Sequence, residues 1–136
     1  MRLVAIIIIL PFILFPLSSC DKNLEFLPWQ CHCDIEVITL SKPSFVTYQV
    51  AAYDGASVSS VTYQTDSGQA VVDHPSLPFE TTVLMEKGTK VGLVATGDPK
   101  KGNIILTYEI RGKEDGVHAL SSSVSRVWVM KDGVCR

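Results

Sequence analysis

Residues 103–111 read NIILTYEIR, and this stretch decides the fold. Ile104, Leu106, Tyr108 and Ile110 recur at every second position, with Thr107, Glu109 and Arg111 between them. Period two is the repeat of an extended strand that turns one face inward. An amphipathic helix would need apolar residues at i, i+3 and i+4, and no window of about ten residues beyond residue 20 carries them convincingly. The stretch is bounded by turn residues. Gly97–Gly102 (GDPKKG) precedes it and Gly112–Gly116 follows it, both rich in the residues that end strands.

The same alternation continues outward from this stretch. Upstream, Thr89–Thr96 places Val91, Leu93 and Ala95 on one face, and Phe79–Glu86 is an extended run rich in Thr and Val. Asp66-Ser67-Gly68 is a hairpin signal between Ser57–Thr65 and Gln69–Asp73. Ser44–Tyr53 sets Val46, Tyr48, Val50 and Ala52 against Thr47 and Gln49, and a Tyr-Asp-Gly turn follows at 53–55. Asp34–Leu40 alternates Ile35, Val37 and Thr39 against Glu36, Ile38 and Leu40. Downstream, Val117–Ser123 reads as a weaker strand and Val124–Lys131 as the last. Short strands with turns every 8–12 residues predict an all-β, two-sheet antiparallel β-sandwich of about seven to nine strands. A single open sheet would leave one apolar face of these strands in water. Val50, Leu93, Leu106 and Ile110 are expected in the core, and core packing is also the default for Tyr48, Tyr63, Tyr108 and Trp128.

The N-terminus has a different composition. The whole chain has 136 residues, 46% of them hydrophobic. Without residues 1–19 the apolar share falls to about 42%, ordinary for a soluble domain. The segment MRLVAIIIILPFILFPLSSC has one basic residue, Arg2, then an apolar run from Leu3 to Leu17 broken by Pro11 and Pro16. A bilayer span needs about 20 residues, so this shorter run reads as a secretory signal. Its end, Leu17-Ser18-Ser19-Cys20, resembles a bacterial lipobox: an aliphatic residue, two small residues, then the thiol that accepts the lipid. The expected organisation is a lipoprotein signal peptide over 1–19, a lipidated Cys20 and tether over 20–33, and a β-sandwich domain over 34–136. A membrane, held through the acyl chains on Cys20, is therefore the first expected partner. The chain carries 12 Lys and Arg against 14 Asp and Glu, a net charge of −2. With no basic surplus, nucleic acid is not an expected partner.

An ordered set of landmarks spans residues 46–113. Val46-Thr47-Tyr48-Gln49-Val50 is followed by Val61-Thr62-Tyr63, Asp66-Ser67-Gly68-Gln69, Leu77-Pro78-Phe79 with Thr81 and Thr82, and Val91–Gly97. A strand then runs into Arg111-Gly112-Lys113. This order resembles the mycobacterial membrane protein small (MmpS) family, taken broadly to include MmpS-like lipoproteins. The resemblance covers about half of the chain. It implies an immunoglobulin-like sandwich outside the cytoplasmic membrane, no enzymatic activity, and an accessory role beside a transporter. Phe79 stands where the family has Trp, Arg111 where Asp precedes Gly-Lys, and a lipobox where the family has a membrane span.

Few residues suggest chemistry beyond the anchor. Cys31-His32-Cys33 places two thiols and an imidazole together, the donor types of a soft-metal site. The close spacing and the exported setting favour a disulfide instead. With Cys20 lipidated, Cys135 is expected to pair with Cys31 or Cys33; free thiols and a metal set of Cys31, His32 and Cys33 are the alternatives. His74 and His118 read as ordinary histidines. Asp54, Asp66, Asp98 and Asp115 sit at turns, where their side chains hold the backbone. No catalytic residue and no cofactor is expected. The sequence therefore points to a non-catalytic envelope lipoprotein working through protein contacts, facing the periplasm or the exterior. The alternative is a ligand- or metal-binding lipoprotein that uses the Cys31-His32-Cys33 cluster or a pocket between the sheets.

Overall fold

The structure, a computed structural model, describes residues 31–113, 123–131 and 134–136. These residues form strands β1 (Cys31–Asp34), β2 (Ile38–Thr39), β3 (Ser44–Tyr53), β4 (Ser57–Thr65), β5 (Gly68–Asp73) and β6 (Phe79–Met85). They continue with β7 (Lys90–Val91), β8 (Leu93–Asp98), β9 (Asn103–Gly112), β10 (Ser123–Lys131) and β11 (Val134–Cys135). One sheet has the order β1-β8-β4-β5 and the other β11-β10-β9-β3-β6, while β2 and β7 make a short separate pair. Every pairing is antiparallel. The two larger sheets pack face to face, with β8 over β9, β4 over β3 and β6, and β1 over β10. This is the two-sheet β-sandwich that the alternation predicts.

The inward face is the one the period-two pattern selects. Val46, Tyr48 and Val50 of β3 are buried, as are Leu93 and Ala95 of β8 and Ile104, Leu106, Tyr108 and Ile110 of β9. Register carries the pattern across strands: Val46 faces Ile110, Tyr48 faces Tyr108 and Val50 faces Leu106. An aromatic run ties the sheets together. Tyr48 lies 5.3 Å from Tyr63 and 6.5 Å from Tyr108 between ring centres, and Tyr63 lies 5.9 Å from Phe79. Offset and edge-on geometries of this kind add to simple area burial. Tyr63 and Trp128 are half-buried at the margin of the core.

Three local features depart from the sequence reading. The strand expected over Asp34–Leu40 is two strands, and the first begins earlier, at Cys31. Between them the chain leaves the ladder, and the Glu36 carbonyl accepts a 3.0 Å bond from the Tyr108 hydroxyl on the opposite sheet. Ile35 is consequently buried while Val37 is 56% exposed, which strict alternation would have put on one face. The facing run divides too, into β7 and β8 around Gly92, whose carbonyl accepts from Gln64 N. Finally, Gly97 belongs to β8 and not to the turn, which occupies Pro99–Gly102 with Gly102 N donating to the Pro99 carbonyl. A Cβ at Gly97 would collide with the Ser57 carbonyl oxygen and meet Ile104 Cδ1 at 2.9 Å, so close strand approach is what requires glycine there. The weak strand expected at 117–123 lies outside the described residues except at Ser123, which opens β10.

The Tyr53–Ala56 turn follows expectation in detail. Asp54 and Gly55 have φ of 54° and 82°, and Ala56 N donates to the Tyr53 carbonyl at 3.1 Å. Positive φ at both central residues is the type I′ turn, and here it carries the chain from β3 of one sheet to β4 of the other.

Candidate functional site

The cysteines meet at one lateral side of the sandwich. Cys33 sits on β1, an edge strand of the four-stranded sheet, opposite Ala95 of β8. Cys135 sits on β11, the edge of the five-stranded sheet, opposite Met130 of β10. Alternation along β1 turns Cys33 and Ile35 inward and leaves Asp34 exposed. β11 is held by two bonds between the main chains of Val129 and Arg136, at 2.7 and 2.9 Å. Cys33 and Cys135 are joined by a disulfide with 5.8 Å between Cα atoms and 102 residues between them in sequence. That Cα separation is within the normal range for a disulfide. The bond clasps the two sheets at the side where β1 and β11 would otherwise be separate edges.

Of the two pairings open in the sequence, the structure takes Cys33 with Cys135. Cys31 and His32 lie on the same strand, their main chains facing Gly97 and Thr96; their side chains lie outside the described residues. With the Cys33 sulfur bonded to carbon and to sulfur, a thiolate metal set of Cys31, His32 and Cys33 would first require reduction of the clasp. Among the described residues, no group of three or more His, Cys, Asp or Glu is placed to hold a metal ion. Cys20 and His118 lie outside the described residues.

Beside the first residues of β1 is an open cleft of about 300 Å³, lined by Ser57, Val58, Ser59, His74, Gly97, Asp98 and Lys100. Its shape comes from a β-bulge. Val58 faces Gly97 and Ser60 faces Thr96, so Ser59 is an extra residue in β4. The Ser59 hydroxyl donates to the Thr96 carbonyl at 3.0 Å, and the Ser59 carbonyl accepts from His74 N at 2.8 Å. His74 and Lys100 have positive φ, 49° and 47°, a conformation uncommon outside glycine. The Asp98 carboxylate accepts from Lys100 N at 2.9 Å, the turn-holding role expected of it. Sequence reading placed His74 and Asp98 in separate loops; the bulge that brings them to one cleft has no sequence signal of its own.

The interior between the sheets is filled by side chains. Tyr48, Tyr108, Met85, Leu93, Ile104 and Leu106 are fully buried there. The Tyr48 hydroxyl points at the Met85 sulfur at 3.6 Å. Burial raises the Tyr48 phenol well above its ordinary value, since the charged form would lose its water; hydrogen bonding to the Gly92 main chain opposes this, and the neighbouring Tyr108 and Tyr63 add to it. Burial raises Tyr108 as well, opposed by Arg126 and reinforced by Glu36. On the outer face of the five-stranded sheet, Gln49 donates to Glu80 at 2.6 Å and the Thr47 and Thr82 hydroxyls meet at 2.9 Å, while the next pair along, Phe45 and Leu84, is apolar and exposed.

No family model, curated protein or solved structure matches this chain.

Proposed function

We propose that the chain is a non-catalytic lipoprotein of a bacterial envelope, held at a membrane by acyl chains on Cys20 and acting through contacts with an envelope protein complex. The observation that carries this reading is the pairing of Leu17-Ser18-Ser19-Cys20 with the Cys33–Cys135 clasp. The first is the pattern of a lipid-modified exported protein. The second is a bond that persists in oxidising compartments and is rare where thiols are kept reduced. Two or three acyl chains give stable anchoring, which one does not. The landmarks resembling the MmpS family fall on β3, β4, β6, β8 and β9. They support a transporter or other envelope complex as the partner.

Labelling cells with a radioactive fatty acid tests the anchor. Wild type should incorporate label, while Cys20→Ser should incorporate none and should keep its leader. Equal label on both proteins would overturn the proposal.

A further inference from the structure

The place where the chain enters the sandwich fixes which end of the molecule lies nearest the anchor. β1 starts at Cys31, opposite Gly97 of β8. Gly97 and Asp98 lie next to the Pro99–Gly102 turn, so the tether arrives at the end built from that turn, the Tyr53–Ala56 turn and the end of β10. The other end carries the Asp66–Gly68 hairpin and the Glu86–Thr89 turn.

Tether length makes the two ends unequal. From Cys20 to Cys31 a fully extended chain reaches at most about 40 Å. β9, with ten residues, runs the length of the sandwich, about 33 Å at strand rise. Bringing the far end to the membrane would require the tether to run back along that whole length with almost no slack. The entry end reaches the surface with the tether relaxed.

The entry end also carries residues suited to a headgroup layer. Tyr53 is 52% exposed, and Lys100, Lys101 and Lys131 are exposed. Tyr53, Asn103 and Lys131 form one cross-strand row on the outer face. Tyrosine and lysine each join an apolar body to a polar tip, the combination found at membrane interfaces. Among the described residues, Asp54 in the Tyr53–Ala56 turn, Asp73 at the end of β5, and Asp98, which accepts from the Lys100 main chain, share this end.

We infer that the entry end of the sandwich rests on an anionic bilayer surface, with Lys100, Lys101 and Lys131 against the headgroups and Tyr53 beside them. The inference rests on the lipoprotein reading above. It leaves the Asp66–Gly68 and Glu86–Thr89 end pointing away from the membrane, towards protein partners.

Energy transfer from the full lipidated protein to dye-labelled lipid tests it. The protein is reconstituted in vesicles of phosphatidylglycerol and phosphatidylcholine. A fluorophore is attached through an azide-bearing residue at position 101 or, in a second preparation, at position 87. Mass spectrometry of each preparation first establishes whether Cys20 is acylated. The inference expects strong quenching at position 101, weak quenching at 87, and weaker quenching at 101 in the double variant Lys100→Glu, Lys131→Glu. Acylated protein with equal quenching at both positions would overturn the orientation while leaving the anchor intact, and a double variant indistinguishable from wild type would overturn the contact of the lysines with the headgroups. Protein without acyl chains would overturn the anchor, and the orientation with it.

Discussion

Tyr48 and Tyr108 show how much a single side chain decides in this sandwich. Both phenols are raised by burial, so above pH 10 the unfolded chain releases phenolic protons that the folded chain keeps. The unfolded state then binds fewer protons, and stability falls as pH rises from about 10 towards the folded values. It is fully present below that window. Denaturant melts across alkaline pH should show this fall, and Tyr48→Phe should flatten it. Leu106, with no exposed surface, should lose roughly 2–5 kcal/mol as Leu106→Ala, measured by urea unfolding. A change within about 0.5 kcal/mol would mean that Leu106 is not packed in the core. The inward identity of Val50, Leu93, Leu106 and Ile110 is legible in the sequence because burial enforces period two. The strand position of Gly97 is not, because glycine marks both turns and close backbone approach, and the space that forbids a Cβ exists only once β4 and β8 are paired.

Among the strands, β1 and β11 depend most on each other. β11 has two residues and pairs only with β10, and β1 has a single neighbour, β8. A covalent link between two such edges holds both where backbone pairing alone is weak. Closing a loop of about 100 residues removes unfolded-state freedom worth about 4–5 kcal/mol in the chain-entropy model. Cys135→Ser should therefore lower stability by several kcal/mol, with hydrogen-exchange protection lost first at β1 and β11. A disulfide at Cys135 is legible in cysteine count and export signal, but the choice of Cys33 over Cys31 is not. Residues two apart share a strand face, so alternation cannot separate them; the choice depends on how far along β1 each lies, set by the register with β8 before the chain leaves the ladder at Glu36. The same departure divides Asp34–Leu40 in two. There the Glu36 carbonyl accepts from the Tyr108 hydroxyl on the other sheet, a partner 72 residues away that no local pattern announces.

The molecule as a whole is a sandwich clasped at its side, with the lipid proposed at Cys20 reached through residues 21–30. The sandwich is written in alternation over most of residues 44–131, which is why fold class was readable from sequence. The cleft beside His74 was not, since its walls come from β4, β8 and the residues after β5, and a bulge at Ser59 brings them together. The proposed lipid on Cys20 and the Cys33–Cys135 bond are both covalent features of the mature chain, and mass reads both directly. Non-reducing mass spectrometry of the protein purified from its native membranes should find an N-terminal peptide that begins at Cys20 and carries acyl chains. It should also find a linked pair of peptides containing Cys33 and Cys135 that separates on reduction. A mature chain that begins at another residue, or a Cys20 that carries no lipid, would contradict the account.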